Sequence, residues 1–183
     1  MRTFIGVWLA SEMKQELTAE IERLRKNNSR FKWTQPENLH FTLKFLGEME
    51  PTRITALERD LSTVTIGINS FRLQLGKSGC FPPKGEPRII WIGLNAGSNE
   101  LKKLAEGVEA ACFQNGFPKE SKPFQPHLTI ARARDGVHPG AISDFLPARE
   151  FTSVTDVTGF SLIESRLYST GPVYHTLTDF PLK

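Results

Sequence analysis

Two four-residue stretches, His40-Phe41-Thr42-Leu43 and His127-Leu128-Thr129-Ile130, constrain this chain more than any other feature. Each alternates polar and apolar residues with a period of two, the repeat of a strand with one buried and one open face. The first lies within a longer run, Asn38 to Gly47. Strict alternation there puts Leu39, Phe41, Leu43 and Phe45 on one face and His40, Thr42 and Lys44 on the other. Each stretch is also entered from a proline-bearing segment: Pro36-Glu37-Asn38 before the first, and a loop over 116–126 with three prolines before the second. The two lie nearly half the chain apart.

The remaining periodicity supplies the frame around them. Thr3 to Leu9 is predicted as a strand, followed by a helix that Ser11 caps and whose stripe is Met13, Leu17, Ile21 and Leu24, as far as Asn27-Asn28. A short strand over Phe31 to Thr34 leads to the first histidine stretch. Pro51 opens a second helix striped by Ile54, Leu57, Leu61 and Val64. Phe71 to Leu75 and Arg88 to Leu94 read as strands, separated by a turn-rich segment from Gly76 to Pro87. Ser98 caps a third helix with Leu101, Leu104, Val108 and Cys112 on one face, ending near Gly116. Past the second histidine stretch come a turn at Pro139-Gly140, a helical segment around Ile142 to Leu146, and two strands, Val157 to Glu164 and Val173 to Leu177. This order predicts an α+β protein occupying residues 1–183 as one bilobal domain. Two similar lobes related by a pseudo-twofold, each an antiparallel sheet with helices outside, would enclose a central cleft.

Composition narrows the class. At 183 residues, 39% apolar and 23% charged, the chain is that of a globular protein without a disordered tail. Its net charge of +3 suits an anionic ligand without demanding one. Two cysteines, Cys80 and Cys112, are too few for a disulfide framework and are expected reduced and buried. The apolar run near the start is too short for a signal sequence, and no run is long enough to span a bilayer, so a cytoplasmic protein is expected. Nothing calls for an obligate oligomer, and a monomer is expected.

Of the four histidines, only His40 and His127 carry a threonine two residues on. His138 reads as a solvated turn residue, and His175, beside Tyr174, as structural. Two unrelated strand histidines would explain the stretches one at a time, but not their matched residues and matched entries. A metal site is disfavoured by the lack of acids or cysteines in register, since zinc takes three or four such ligands. Acid–base chemistry fits better, because imidazole exchanges a proton near neutral pH. Two imidazoles across a cleft can act together, one as base and one as acid. A threonine about 7 Å along each strand would offer a hydroxyl to an anion held between them. In-line displacement at a phosphodiester needs proton handling from opposite sides and donors at the flanks.

Around these stretches the chain resembles the two-histidine phosphoesterase superfamily, and within it the bacterial and archaeal RNA 2′,3′-cyclic phosphodiesterases, also called 2′-5′ RNA ligases. The resemblance runs through Arg2-Thr3-Phe4-Ile5, Trp33, Phe45-Leu46-Gly47, Gly79-Cys80-Phe81-Pro82, Pro87-Arg88-Ile89-Ile90-Trp91, Ala131-Arg132, Glu164-Ser165-Arg166-Leu167 and Gly171-Pro172-Val173-Tyr174. It implies metal-independent opening of an RNA 2′,3′-cyclic phosphate end to a 2′-phosphate, with no cofactor. Neutral His127 would be the proton acceptor, protonated His40 the proton donor, and Thr42 and Thr129 the holders of the phosphate oxygens. The residues themselves do not distinguish acid from base. Arg132 is a candidate cation for phosphate or base, although strict alternation sets it opposite His127 and Thr129 unless the strand bulges after Ile130. Lys44, in register with His40 and Thr42, would add positive potential, its plainer reading being a solvated lysine. Phe81 or an aromatic near the N-terminus could stack on the terminal base. Joining of RNA ends through a 2′-5′ linkage, or non-catalytic binding of nucleotides or RNA ends, would use the same cleft.

Overall fold

The computed structural model describes residues 1–26, 29–134 and 151–183. Asn27-Asn28, His138, the turn at Pro139-Gly140 and the helical segment predicted around Ile142 to Leu146 lie outside the described residues. In chain order the elements are β1 (Arg2–Trp8), α1 (Ser11–Arg25), β2 (Phe31–Trp33), a 3-10 turn (Pro36–Asn38), β3 (His40–Glu48), a second 3-10 turn (Pro51–Arg53), α2 (Ile54–Val64), β4 (Phe71–Phe81), β5 (Ile89–Ala96), α3 (Ser98–Gln114), β6 (Leu128–Ala133), β7 (Val154–Val157), β8 (Gly159–Tyr168) and β9 (Gly171–Pro181).

The strands form two antiparallel sheets, ordered β3-β1-β8-β9 and β2-β6-β5-β4-β7. In the first, β1 leads through α1 to β3, which returns beside β1. In the second, β5 leads through α3 to β6, which returns beside β5. Each histidine strand therefore pairs with the strand that leads into it through a helix, and this equivalence is the pseudo-twofold; it is broken at the outer side, where β3 is an edge and β6 is covered by β2. The helices exchange sides. α1 packs on β2 and β7 of the second sheet, whereas α3 packs on β3 of the first and α2 lies against α3 and β9. The lobes are interleaved through these crossings, and β3 and β6 meet directly between them.

The predicted helical stripes face the core. Met13, Leu17, Ile21 and Leu24 of α1 are buried, as are Leu57 and Leu61 of α2 and Leu101, Leu104, Val108 and Cys112 of α3. The caps differ from expectation. Ala10 precedes α1, and Ser11 is its first helical residue. Gly97 precedes α3 with φ +80, and a side chain there would run into the Arg72 carbonyl; the need for a left-handed residue without a Cβ outweighs the capping strength of Ser98.

The segment read as turn-rich from Gly76 is instead the second half of β4, which continues to Phe81. Gly79 is there for proximity, because a Cβ would strike the Trp91 indole on β5. The tail gives three strands where two were predicted, with β7 pairing β4 at the edge of the second sheet. Cys112 is buried as expected. Cys80 is only half-buried, its Sγ 3.2 Å from the Pro82 carbonyl, and both cysteines are free. None of the helices among the described residues is long and apolar enough to cross a membrane.

Candidate active site

The alternation of the two histidine stretches becomes a cleft. Phe41, Leu43, Leu128 and Ile130 are buried at 5% exposure or less, and this anchoring turns their polar neighbours the other way. His40, Thr42, His127, Thr129 and Arg132 together line a cavity of about 520 Å³ between the sheets.

Both imidazoles are held by the same local device. His40 Nδ1 lies 2.6 Å from the Asn38 carbonyl and His127 Nδ1 lies 2.7 Å from the Gln125 carbonyl, each two residues upstream. A carbonyl only accepts, so Nδ1 carries the proton in both rings and Nε2 is the nitrogen left to exchange one. His40 Nε2 is 3.0 Å from Thr42 Oγ1. The buried Asn38 is itself pinned, with Nδ2 donating to the Pro172 carbonyl at 2.9 Å.

An aromatic ring meets each imidazole edge-on. Tyr174 lies 5.2 Å from His40 and Phe81 lies 5.3 Å from His127, both at 89° between planes. Phe4 and Trp8 also pack on His40, at 4.7 and 5.7 Å between centroids. This enclosure matters electrostatically. Burial, with a smaller contribution from the positive charges of Arg132, Lys14 and His127, pushes the His40 pKa down to about 4 against the opposing Asn38 bond. In the free protein His40 is therefore neutral at neutral pH. Burial likewise raises the Tyr174 phenol.

The strands do not keep strict alternation. On β3, Gly6 pairs Thr42 and Ile5 pairs Lys44, so Leu43 is an extra residue. On β6, Trp91 pairs Thr129 and Ile90 pairs Ala131, so Ile130 is extra. The two bulges stand at equivalent positions, and each sends two successive residues inward: Leu43 with Lys44, and Ile130 with Ala131. The next residue then returns to the cleft. Arg132 reaches the site by this route, the bulge supplying the condition that alternation alone withholds.

The same geometry corrects the placement of Lys44. It does not share the open face of His40 and Thr42, nor is it solvated. At 3% exposure it is buried, with Nζ 2.7 Å from Glu109 Oε2 and 2.9 Å from the Pro118 carbonyl. Phe45, assigned by alternation to the core, is instead 57% exposed and lines the cleft at the position Arg132 holds on the other strand. Phe81 flanks His127 and packs on Trp91 at 5.3 Å. His175 is exposed and lines no part of the cleft.

Sequence reasoning missed Arg2, Thr34, Phe45 and Tyr174 as cleft residues. Thr34 braces the second strand, its Oγ1 donating to the Thr129 carbonyl at 3.1 Å. For Tyr174 the available signal was its alternation with exposed Val173 and His175. Among the described residues no group of three His, Cys, Asp or Glu side chains converges to hold a metal ion.

Comparison with known proteins gives concordant matches. The profile of the LigT like phosphoesterases matches the chain twice, over residues 7–91 and 92–174, one match for each histidine strand. An Aquifex aeolicus protein named RNA 2′,3′-cyclic phosphodiesterase is 31% identical over 187 residues, covering 100% of this chain and 97% of that protein. A solved Thermus thermophilus structure superposes with a TM-score of 0.85 at 30% identity, covering 100% of this chain and 98% of the other. Escherichia coli LigT complexed with 3′-AMP gives a TM-score of 0.76 at 25% identity, covering 99% and 97%.

Proposed function

The chain belongs to the LigT like phosphoesterase family, and from that premise we propose that it opens RNA 2′,3′-cyclic phosphate ends to 2′-phosphates by paired-histidine acid–base catalysis. The activity follows the family, as does the choice of His127 as base and His40 as acid; the pairing of the two imidazoles across one cleft is supported by the site geometry. Its carrying observation is that both imidazoles are fixed through Nδ1 by a carbonyl two residues upstream, which reserves both Nε2 atoms for proton exchange.

His127 Nε2 takes a proton from water as the water oxygen bonds to phosphorus. The bond from phosphorus to the 3′ oxygen breaks, and His40 Nε2–H gives that oxygen its proton. One proton enters the site on His127 and one leaves from His40, so a later exchange with solvent resets the pair. Thr42 and Thr129 donate to the non-bridging oxygens, where negative charge accumulates. Arg132 offers a fixed guanidinium to the same phosphate or to the base.

The neutral His40 of the free protein is consistent with this scheme once substrate is counted. A phosphodiester anion beside the imidazole favours the charged ring and raises its pKa. The proton that His40 later donates is then taken up with the substrate. Its arrival also frees the Thr42 hydroxyl, which in the neutral state can donate to His40 Nε2, to turn toward the phosphate.

The substrate is an RNA end or a nucleotide resembling it. Phe81, Phe45 and Tyr174 offer aromatic surfaces for the terminal base. The complex of Escherichia coli LigT with 3′-AMP supports a site of nucleotide size. End joining through a 2′-5′ linkage would run through the same residues, with an RNA hydroxyl replacing one reactant. Incubation with adenosine 2′,3′-cyclic phosphate in EDTA, followed by phosphorus NMR, tests the reading. A 2′-phosphate is expected; a 3′-phosphate product or EDTA-sensitive turnover would overturn it.

A further inference from the structure

Lys44 has no contact with the cleft, yet it sits two residues beyond Thr42 and its side chain is 2% exposed. An ammonium is among the least favourable groups to bury, and the equivalent position on the other histidine strand holds a small apolar residue, Ala131. What Lys44 reaches explains the difference. Nζ donates to Glu109 Oε2 on α3 at 2.7 Å and to the Pro118 carbonyl at 2.9 Å, with Glu120 Oε1 at 3.9 Å. The other oxygen of Glu109, Oε1, accepts the Glu120 backbone N–H at 2.9 Å.

Pro118 and Glu120 belong to the segment that runs on to Gln125, whose carbonyl orients His127, and to His127 itself. One buried cation on the His40 strand thus ties down the chain that delivers the opposite imidazole. We propose that Lys44, with Glu109, is a positioning pair that fixes His127 and its entry segment relative to the His40 strand. The bulge at Leu43 makes this possible, since without it Lys44 would point into the cleft. The proposal rests on the paired-histidine reading above.

The test is K44M, assayed with adenosine 2′,3′-cyclic phosphate well below its melting temperature. A loosened His127 is expected to lower kcat by about tenfold or more, while KM stays within about twofold, because imidazole alignment matters more in the transition state than in binding. Replacing the whole ion pair by apolar residues in K44M/E109L is expected to restore the melting temperature but not kcat, since both anchors to the segment are then gone. A folded K44M, or a folded double variant, with wild-type kcat would overturn the proposal and leave the pair a purely stabilising one. If K44M does not fold, E109Q carries the test. Its amide group puts an N–H2 donor where Glu109 has one of its two acceptor oxygens, so Lys44 or the Glu120 N–H loses its partner. The melting temperature should fall because buried Lys44 loses its counter-charge, and kcat of the folded variant should fall about threefold; unchanged kcat overturns the proposal. H40A and H127A, measured alongside, separate the two readings. If they retain turnover the catalytic scheme fails, and if they lose it while K44M does not, only the positioning role fails.

Discussion

Phe45 and Arg132 occupy the same station on two strands related by the pseudo-twofold, each the first residue to re-enter the cleft after a bulge. The backbone symmetry is kept there and the chemistry is broken: an aromatic face in one lobe, a guanidinium in the other. The two should therefore fail differently when removed.

On the proposed reading, R132M removes a charge-assisted contact to the substrate's phosphate or base, worth about 1.5–3 kcal/mol. A loss in kcat/KM of about 10- to 100-fold is expected. F45A deletes a stacking surface worth about 1–3 kcal/mol per base. Its loss should fall on KM, with kcat nearly unchanged. Steady-state kinetics on one cyclic nucleotide reads both, and a kcat effect at Phe45 equal to that at Arg132 would contradict the division.

The depressed His40 pKa gives the rate a signature in pH. The profile of kcat/KM reports the free enzyme, where His40 titrates near 4. The profile of kcat reports the complex, in which the phosphate anion raises the same group. The bell for kcat should lie at higher pH than the bell for kcat/KM. Coincident profiles would mean that substrate does not return a proton to His40.

The same shift enters stability with a definite sign. His40 titrates near 4 when folded, against 6.5 as its ordinary value. As pH falls from about 6.5 toward 4, the unfolded chain takes the proton first and the folded state loses ground; above 6.5 nothing changes. The full effect is on the order of 3 kcal/mol. H40Q, which cannot titrate, should unfold less readily than wild type as the solution is acidified across that window, measured by urea denaturation. Parallel pH dependence in the two proteins would show that the ring is not shielded.

G79A tests the packing behind the second lobe. A Cβ on Gly79 has the Trp91 indole in its place, and Trp91 supports Phe81, which flanks His127. Overpacking of this kind costs about 1–3 kcal/mol. The melting temperature should drop measurably, and an unchanged value would show that the indole moves aside freely.

Much of this was legible in the sequence because period-two alternation and helical stripes report burial directly. The histidines, their threonines and the three helix faces followed from that. What escaped were the places where a second constraint overrode the period. The bulges at Leu43 and Ile130 are invisible to a rule that counts by twos, so Lys44 and Phe45 exchanged places between core and cleft. Glycines near Cys80 looked like turn residues, whereas Gly79 answers the close approach of an indole that pairwise sequence separation hides. Tyr174 is far from His40 along the chain and joins it only through the order β3-β1-β8-β9.

His40 and His127 must work as one unit if the cleft is a paired-histidine site. The measurement is kcat for H40A, H127A and the double variant on adenosine 2′,3′-cyclic phosphate at neutral pH. A matched acid and base fail together, so each single change should cost about as much as both, on the order of 10³-fold or more. Single losses that multiply in the double variant, or turnover that survives either change, would contradict it.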